Sequence, residues 1–301
     1  WFQYGYHFNN DWDLAMNLEY YQIDSDKDRL AEGDFQTSLD GLFGSNATLA
    51  PSYLEDRKET FNYNLHFTNS KWKIGLDGYT KKNGGIGAGA AQTIDHKGHD
   101  RYERHLFTLS YTDNNTVDNW SFESQFSYFY HDTQGQLNIF PSGTVLPVGN
   151  DGNIFTPHDG TGCLTANIPG IGCLTTFSDG FIGNPGSIVK IPTLDLIAYF
   201  EGWKNNSLRF NVGLKEEKIH GIETKNFGPG VLDKITLDGR DNPIVVDGFL
   251  TSVENTPFIY IPDITRTVKY LSVQDIWQID AAWTLTSGVR YDYYSDFGST
   301  I

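Results

Sequence analysis

Apolar and polar residues alternate along six long stretches of this 301-residue chain. In residues 208–215, for example, Leu208, Phe210 and Val212 are separated by polar residues or glycine. Because successive side chains of a β-strand point to opposite faces, this period of two predicts strands with one apolar and one polar face. The stretches are 12–21, 61–68, 72–79, 120–131, 208–215 and 283–293.

The connections between the predicted strands alternate in length. Short polar turns are predicted at 9–11, 69–71, 113–119, 204–206 and 280–281. Long polar excursions separate the hairpins at about 24–58, 82–100, 132–191 and 217–264. About ten strands result, with short turns on one side and long loops on the other, whereas soluble domains rarely carry several long loops. This layout predicts an all-β, antiparallel up-and-down transmembrane β-barrel of the bacterial outer membrane.

The physics of a bilayer accounts for the same pattern. A lipid-spanning sheet must satisfy every backbone hydrogen bond, and roughly 9–11 tilted residues cross the hydrocarbon layer. Aromatic residues lie near the predicted strand ends, where rings with a polar tip favour the membrane interface. They are Trp72, Trp120, Tyr20, Tyr79, Tyr128 and Tyr130. Asp275 is in phase with the apolar face, but it is close to the 280–281 turn. A charge costs only about 0–1 kcal/mol there, against about 2–4 kcal/mol at the midplane.

Composition narrows the alternatives. The formal net charge of −16 argues against a nucleic-acid partner, because phosphate binding needs clustered Lys and Arg. No run approaches the roughly 18 consecutive apolar residues of a membrane helix. The N-terminus, starting at Trp1, shows no basic leader followed by an apolar stretch. We therefore expect that a signal peptide was removed or that the sequence begins in mid-protein.

Cys163 and Cys173 lie close together in a segment rich in Gly and Pro. No His or Cys partner completes a zinc pattern with them. A disulfide that closes a short loop fits better, and it implies an oxidising compartment.

The segment Tyr270–Ser299 reads YLSVQDIWQIDAAWTLTSGVRYDYYSDFGS. It resembles a mid-barrel hairpin of TonB-dependent outer-membrane receptors, in which a VQDxW strand turns into a TLTxGxRYDxYSDFG strand. The strong match covers about a tenth of the chain. The matching residues are Val273, Gln274, Asp275, Trp277, Thr284, Leu285, Thr286, Gly288, Arg290, Tyr291, Asp292, Tyr294, Ser295, Asp296, Phe297 and Gly298.

The resemblance implies that residues 1–301 form one partial barrel domain, about ten strands of a larger barrel of about 22 strands. We find no sequence like the family's N-terminal plug, its TonB box or its terminal strand ending in an aromatic residue. The implied partners are outer-membrane lipid, the plug domain of the same parent chain, TonB and a small-molecule ligand. The implied location is the outer membrane of a Gram-negative bacterium. The implied function, energy-driven uptake of a scarce ligand, belongs to the parent protein.

Asp24, Asp26 and Asp28 alternate along the first long loop, as the carboxylates of a calcium loop do. An EF-hand needs Gly at the sixth position and Glu at the twelfth, and those positions hold Arg29 and Phe35. Calcium in this outer loop is one hypothesis, and a solvated strand end is the other. No other cofactor is expected.

His96 and His99 are candidate ligands for iron or haem, although exposed loop histidines commonly have no such role. The Gly-rich run 85–89 lacks the strand–loop–helix context of a phosphate-binding loop, so we predict a flexible loop. Ligand contact is expected from the long loops, with three aromatic candidates: Phe140, Phe155 and Tyr260. Polar-face residues are expected to bond to a plug or to each other: Glu123, Arg209, Lys215, Arg290 and Asp292.

The pattern places no Ser/His/Asp set and no carboxylate pair together, so the sequence argues against an enzyme. The leading hypothesis is a TonB-coupled importer of a ferric siderophore or a similarly large, scarce nutrient. The alternative is a passive or substrate-selective porin, for which no plug would be encoded upstream. A third interpretation is a secreted soluble β-sandwich, which uses the same alternation but buries its apolar face.

Overall fold

The computed structural model describes residues 1–232 and 245–300. Its main feature is a twelve-stranded antiparallel sheet. In order across the sheet, its strands are β1 (Phe2–His7), β2 (Asp13–Ile23), β5 (Lys58–Thr68), β6 (Trp72–Gly84), β7 (His99–Val117), β8 (Trp120–Phe140), β12 (Phe181–Trp203), β13 (Asn206–Lys225), β16 (Ile264–Gln278), β17 (Thr284–Tyr294) and β18 (Gly298–Thr300). The short strand β15 (Thr251–Ser252) pairs with the end of β13.

The ten predicted strands are confirmed: six of them contain the alternating stretches, and the other four complete their hairpins. They are β1, β2, β5, β6, β7, β8, β12, β13, β16 and β17, and each is paired with the next. The tight turns are present as well: Phe8 N–H donates to the Trp12 carbonyl at 2.7 Å, and Asn69 N–H donates to the Trp72 carbonyl at 2.8 Å. β18 adds the beginning of a further strand.

Several strands are longer than predicted. β8, β12 and β13 have 21, 23 and 20 residues, so the excursions expected at 132–191 and 217–264 are shorter. β7 continues to Val117 through an irregular register, which shortens the turn expected at 113–119. About 9–11 residues are enough to cross a bilayer. The central strands therefore extend well beyond the bilayer. Their outer parts need no apolar face, so the sequence does not alternate in those parts.

The two faces of the sheet differ in polarity. On one face, called the apolar face from here on, large hydrophobic side chains remain exposed. Leu196, Val212 and Leu271 lie opposite one another on β12, β13 and β16, and each is about half exposed. Other exposed members are Phe122, Phe126, Leu194, Leu214, Leu285 and Val289. A β-sandwich would bury these side chains against a second sheet, so the soluble sandwich is wrong.

The polar face holds a side-chain network across three strands. Asp195, Gly213 and Tyr270 lie opposite one another on β12, β13 and β16. The Tyr270 hydroxyl reaches across the middle strand and donates to the Asp195 carboxylate. A Cβ atom at Gly213 would lie 2.0 Å from the Tyr270 ring, so glycine is required for this crossing. Arg290 stacks on the ring, with its guanidinium carbon 4.4 Å from the centroid.

Asp275 is a charged residue on the apolar face, and it has a partner. Its two carboxylate oxygens accept hydrogen bonds from the Asn206 side-chain amide at 2.8 and 3.1 Å. Asn206 is the first residue of β13, directly after a short turn. The carboxylate of Asp275 therefore lies at the short-turn edge of the sheet, as predicted from its distance to the 280–281 turn.

The long connections contain structure that the alternation does not predict. The additional elements are β3 (Leu30–Ala31), α1 (Phe35–Phe43), β4 (Ser52–Tyr53), β9 (Thr144–Val148), β10 (Asn167–Ile168), β11 (Gly172–Phe177) and β14 (Val245–Val246). β11 pairs with β9, β10 and β14 in a second, four-stranded sheet. Loop residues and strand ends share a buried core of Leu39, Phe140, Leu146, Val148, Phe177, Phe181, Leu232 and Val246. These connections form a packed loop assembly rather than the polar excursions expected.

The helix α1 is defined at both ends by capping. The Asp34 carboxylate accepts from Thr37 N–H at 2.9 Å, and the Thr37 hydroxyl accepts from Asp34 N–H at 3.1 Å. Gly44 ends the helix in the left-handed conformation, with φ +73°. α1 has nine residues, and within the described ranges no helix is long and apolar enough to cross a bilayer.

We expect Gly213→Ala to destabilise the sheet by about 1–3 kcal/mol, because the added methyl group overlaps the Tyr270 ring and displaces it from Asp195. The measurement is urea unfolding of the full-length protein, refolded in detergent. Gly135→Ala in β8 is the matched control, since a Cβ atom there meets nothing closer than 3.6 Å. Equal unfolding midpoints for the two variants would contradict the assigned role of Gly213.

Candidate functional site: the loop-side mouth of the sheet

A loop segment folds over the polar face of the sheet on the side of the long connections. This mouth segment, residues 253–263, lies between β15 and β16. Two residues near the end of β13 hold it. Tyr260 N–H donates to the Glu223 carboxylate at 2.5 Å, and Lys225 Nζ donates to the Phe258 carbonyl at 2.8 Å. Glu223 and Lys225 are in phase with Gly213 along a strand whose pairing with β12 keeps one register up to Lys225, so both point to the polar face.

Glu223 and Lys225 form a buried ion pair, with 3.1 Å between Lys225 Nζ and Glu223 Oε1. They are only 6% and 7% exposed. Burying two charges is costly unless further hydrogen bonds satisfy them. The mouth segment supplies these bonds from its backbone. The pair therefore fixes the position of the mouth segment.

Gly221 allows the mouth segment to approach β13 closely. A Cβ atom at Gly221 would lie 1.9 Å from the Ile261 carbonyl oxygen. Gly221 N–H donates to the Asp263 carboxylate at 2.8 Å. This bond, together with the His220 side chain, lowers the pKa of Asp263. The end of the segment is thereby fixed next to the start of β16.

The three aromatic candidates for ligand contact occupy different surroundings. Tyr260 is 78% exposed on the mouth segment, so its ring is accessible while its backbone is fixed. Phe155 is also exposed, in the connection between β9 and β10. Phe140 is 2% exposed and packs against Phe181 at a centroid distance of 5.7 Å. Phe140 therefore supports the loop core and does not face a ligand, contrary to the expectation.

His96 joins the first two long loops. Its Nε2 is hydrogen-bonded with Ser52 Oγ at 2.9 Å, and its ring lies 4.5 Å from the Tyr53 ring. Its Nδ1 lies 3.7 Å from the Glu55 carboxylate. His99 begins β7, and its Nδ1 lies 3.3 Å from the Lys97 carbonyl. Each imidazole thus has a partner within the loops, and ligation of iron or haem by the two histidines stays a prediction.

The three aspartates of the proposed calcium loop lie just after β2. Asp26 caps its own turn, since its carboxylate accepts from Asp28 N–H at 3.1 Å and from Arg29 N–H at 3.3 Å. Across residues 1–232 and 245–300, no group of three or more His, Cys, Asp or Glu side chains is arranged to hold a metal ion. Calcium binding by Asp24, Asp26 and Asp28 stays a hypothesis.

Cys163 and Cys173 form the predicted disulfide. The bridge ties the connection after β9 to the beginning of β11. Thr165, inside the closed loop, donates its hydroxyl to the Leu174 carbonyl at 2.6 Å. The disulfide therefore constrains one part of the loop assembly.

Asp34 connects α1 to the second long loop. Besides the capping bonds of Thr37, its carboxylate accepts from Ile94 N–H at 2.9 Å and from the Thr48 hydroxyl at 2.9 Å. Partial burial opposes ionisation of this carboxyl group, but the hydrogen bonds outweigh burial and lower the pKa of Asp34 below its ordinary value of 3.8.

Sequence reasoning missed the anchor of the mouth segment. Gly221, Glu223 and Lys225 lie within the excursion predicted at 217–264. The alternation is lost between 216 and 220, but the three residues still stand at odd-numbered positions, in phase with the polar face of 209–215. Extending the strand on parity alone would have placed a Glu–Lys pair on the polar face.

Comparison with known proteins identifies the family. The family model described as "TonB dependent receptor-like, beta-barrel" matches residues 38–301. The chain belongs to this family. The resemblance read from Tyr270–Ser299 is thereby confirmed. No curated protein sequence gives a match.

Two solved structures match this TonB-dependent receptor barrel. The copper transporter OprC has a TM-score of 0.51 and 13% identity, over 95% of this chain and 33% of that chain. The outer membrane transporter YddB from Escherichia coli has a TM-score of 0.46 and 11% identity, over 98% and 33% of the two chains. The chain spans about a third of the length of these structures. At 13% identity the likeness to OprC shows the fold alone.

Membership in this family gives each face and side of the sheet a meaning. TonB-dependent receptor barrels lie in the bacterial outer membrane, so the apolar face contacts lipid and the polar face lines the interior. The short turns are periplasmic, and the long loops are extracellular. The mouth segment with Tyr260 therefore lies at the extracellular opening of the interior. Proteins of this family are transporters and not enzymes.

We expect Glu223→Ala to release the mouth segment, because it leaves Lys225 buried without its carboxylate and removes the acceptor of Tyr260 N–H. Breaking a buried pair costs about 3–5 kcal/mol. The measurement is hydrogen exchange of the amides in 253–261. Glu216→Ala on the same strand is the matched control, since its pair with Lys218 is exposed and such pairs contribute about 0–1 kcal/mol. If both variants exchanged alike in the mouth segment, the anchoring role would be wrong.

We expect Asp34→Ala to weaken exchange protection of α1 by about 0.5–2 kcal/mol at neutral pH, since the helix loses its N-cap. The pKa of Asp34 is lowered in the folded protein, so its stabilisation is present above the pKa of the unfolded chain. It is lost as the pH falls through the folded-state pKa, below 3.8. Wild type and variant should therefore converge in that range. Asp28→Ala serves as control, and a difference that persisted at low pH would refute the linkage.

Proposed function

We propose that this chain forms part of the wall and the extracellular opening of a TonB-dependent transporter that takes up a ferric siderophore or a similarly large, scarce nutrient. The observation that carries the proposal is the mouth segment. It is fixed to the polar face of β13 by a buried ion pair, and it presents an accessible aromatic ring at Tyr260. An anchored loop that carries a free ring is suited to contact a ligand before it enters the interior.

The packed loop assembly favours a selective receptor over an open pore. Loops that share a buried core have a defined shape, and a defined surface can select a ligand by its contacts. In the parent protein, a plug domain that occupies the interior and TonB are the proposed partners. The exposed aromatic side chains Tyr260 and Phe155 are the proposed ligand contacts, with His96 and His99 as further candidates if the loops rearrange on binding.

The chemical class of the ligand can be determined by comparing the affinities of the protein for several candidate ligands. OprC is named a copper transporter, which makes copper an alternative cargo to a ferric chelate. The experiment is a binding panel with the full-length protein in detergent, using ferric siderophores of catecholate and hydroxamate type, haem, cobalamin and copper ions. Binding of a ferric siderophore alone supports the proposal. If the protein binds copper, haem or cobalamin more tightly than every ferric siderophore, the proposed cargo is wrong and the preferred ligand takes its place.

We expect Tyr260→Ala to weaken binding of the selected ferric siderophore about three- to ten-fold, which corresponds to the loss of one aromatic contact of about 0.5–1.5 kcal/mol. The measurement is quenching of intrinsic fluorescence during titration. Tyr20→Ala removes an exposed ring from the lipid-facing side and is the matched control. Equal affinities for wild type and both variants would exclude Tyr260 as a contact, and uptake by a strain lacking TonB would contradict energy coupling.

A further inference from the structure

The polar face carries a hollow of about 360 Å³ on β6 and β7, on the side of the long connections. It is lined by Tyr79, Lys81, Asp100, Tyr102 and Arg104, a group called the wall site from here on. Tyr79 lies directly opposite Arg104, and Lys81 lies directly opposite Tyr102. An unbroken cross-strand row leads from Tyr102 through β8 and β12 to Gly221, next to the mouth segment. The wall site therefore belongs to the extracellular part of the interior.

Four aromatic rings run in contact across the wall site and the neighbouring strand β8. The ring centroids of Tyr79 and Tyr102 are 5.4 Å apart, and those of Tyr102 and His131 are 4.5 Å apart. The ring of Phe129 follows at 6.2 Å from His131. All four rings are partly exposed, and Leu106 lies opposite Phe129 on the same face. This surface favours a ligand that is itself flat and aromatic.

Arg104 is the cation that the wall site leaves without a partner. The charge of Lys81 is balanced within the site, since its Nζ lies 2.5 Å from the Asp100 carboxylate. The Arg104 side chain is exposed, and across residues 1–232 and 245–300 no carboxylate forms an ion pair with it. The wall site therefore holds two cations and one carboxylate.

The acidic residues nearest to this guanidinium are engaged elsewhere. Glu103 and Asp132 point to the opposite face of the sheet, where both contact Arg101. On the polar face, Asp77 interacts with two side chains of β5. Glu19 lies in the same cross-strand row but three strands away, a distance of about 14 Å. An anion that enters the hollow therefore meets a guanidinium that no carboxylate neutralises by direct contact.

We propose that the wall site binds an aromatic, anionic part of the cargo and thereby selects ferric catecholates. The inference rests on the proposed function and narrows its cargo class. Catecholate groups are aromatic dianions, so their ferric complexes keep a negative charge and present flat rings. Hydroxamate groups have no aromatic ring and leave the ferric complex neutral. Arg104 donates to the phenolate oxygens, while the rings of Tyr102 and His131 pack against a catechol ring.

The test titrates the full-length protein in detergent with a ferric tris-catecholate and with a ferric tris-hydroxamate, followed by quenching of intrinsic fluorescence. Wild type should bind the catecholate more tightly. Arg104→Gln should weaken catecholate binding about ten-fold, as expected for the loss of one charge-assisted hydrogen bond, and leave hydroxamate binding unchanged. Arg101→Gln is the matched control, because it removes an arginine of the same strand that points to the opposite face. It should leave both affinities unchanged.

A second variant tests the rings. Tyr102→Leu keeps apolar bulk but removes the ring, and it should weaken catecholate binding about three-fold. The urea unfolding midpoint of Arg104→Gln should equal that of wild type, because Arg104 has no ion pair to lose.

The outcomes separate this inference from the proposed function. A wild type that prefers the hydroxamate overturns the inference and leaves the proposed function in place, whereas a wild type that binds neither ferric complex overturns both. Unchanged catecholate affinity in Arg104→Gln and Tyr102→Leu would also overturn the inference. Equal losses for the two complexes in Arg104→Gln would assign the arginine to contacts with the plug domain instead. Binding of a neutral oligosaccharide that Tyr102→Leu weakens would assign the rings to a sugar.

Discussion

Backbone hydrogen bonding between neighbouring strands is the constraint on which the rest of this structure depends. In hydrocarbon, an unpaired N–H or C=O group costs several kcal/mol, so each lipid-crossing strand needs partners along its whole length. The path from β1 to β18 meets this requirement for its interior strands by antiparallel pairing with sequence neighbours. Once the pairing is fixed, successive side chains face lipid and the interior in turn. Apolar residues are favoured on the lipid side and polar residues on the other, so the sequence alternates.

The membrane-crossing part of the fold was predictable because its signal is local. Alternation over about ten residues is visible within one strand, and the turns between paired strands are short. The loop assembly was not predictable in the same way, since its contacts join distant residues. The Thr144 hydroxyl donates to the Gln36 side chain across 108 positions, and Asp34 accepts from Ile94 across 60. A periodic pattern within one segment does not predict a hydrogen-bond partner that is so distant in the sequence.

The same difference explains the outcome for individual site residues. The disulfide between Cys163 and Cys173 required only proximity in the sequence and a suitable compartment. The position of Phe140 required knowledge that β8 continues into the loop assembly and that its last residue enters a buried core. An aromatic residue in a long connection looks the same in the sequence whether it faces a ligand or supports the loop. Its burial depends on the neighbouring strand ends, which the alternation does not reveal.

β13 shows how one long strand connects the membrane to the extracellular opening. Its even-numbered positions, such as Val212, face lipid, while its odd-numbered positions carry Gly213 within the wall and Glu223 beneath the mouth segment. Because the strand is continuous and paired on both sides, a shift by one residue would exchange the two sets. The register that keeps leucine and valine in lipid is therefore the register that brings the buried carboxylate under the mouth segment. The register of β13 therefore determines both which side chains contact lipid and how the mouth segment is held at the opening.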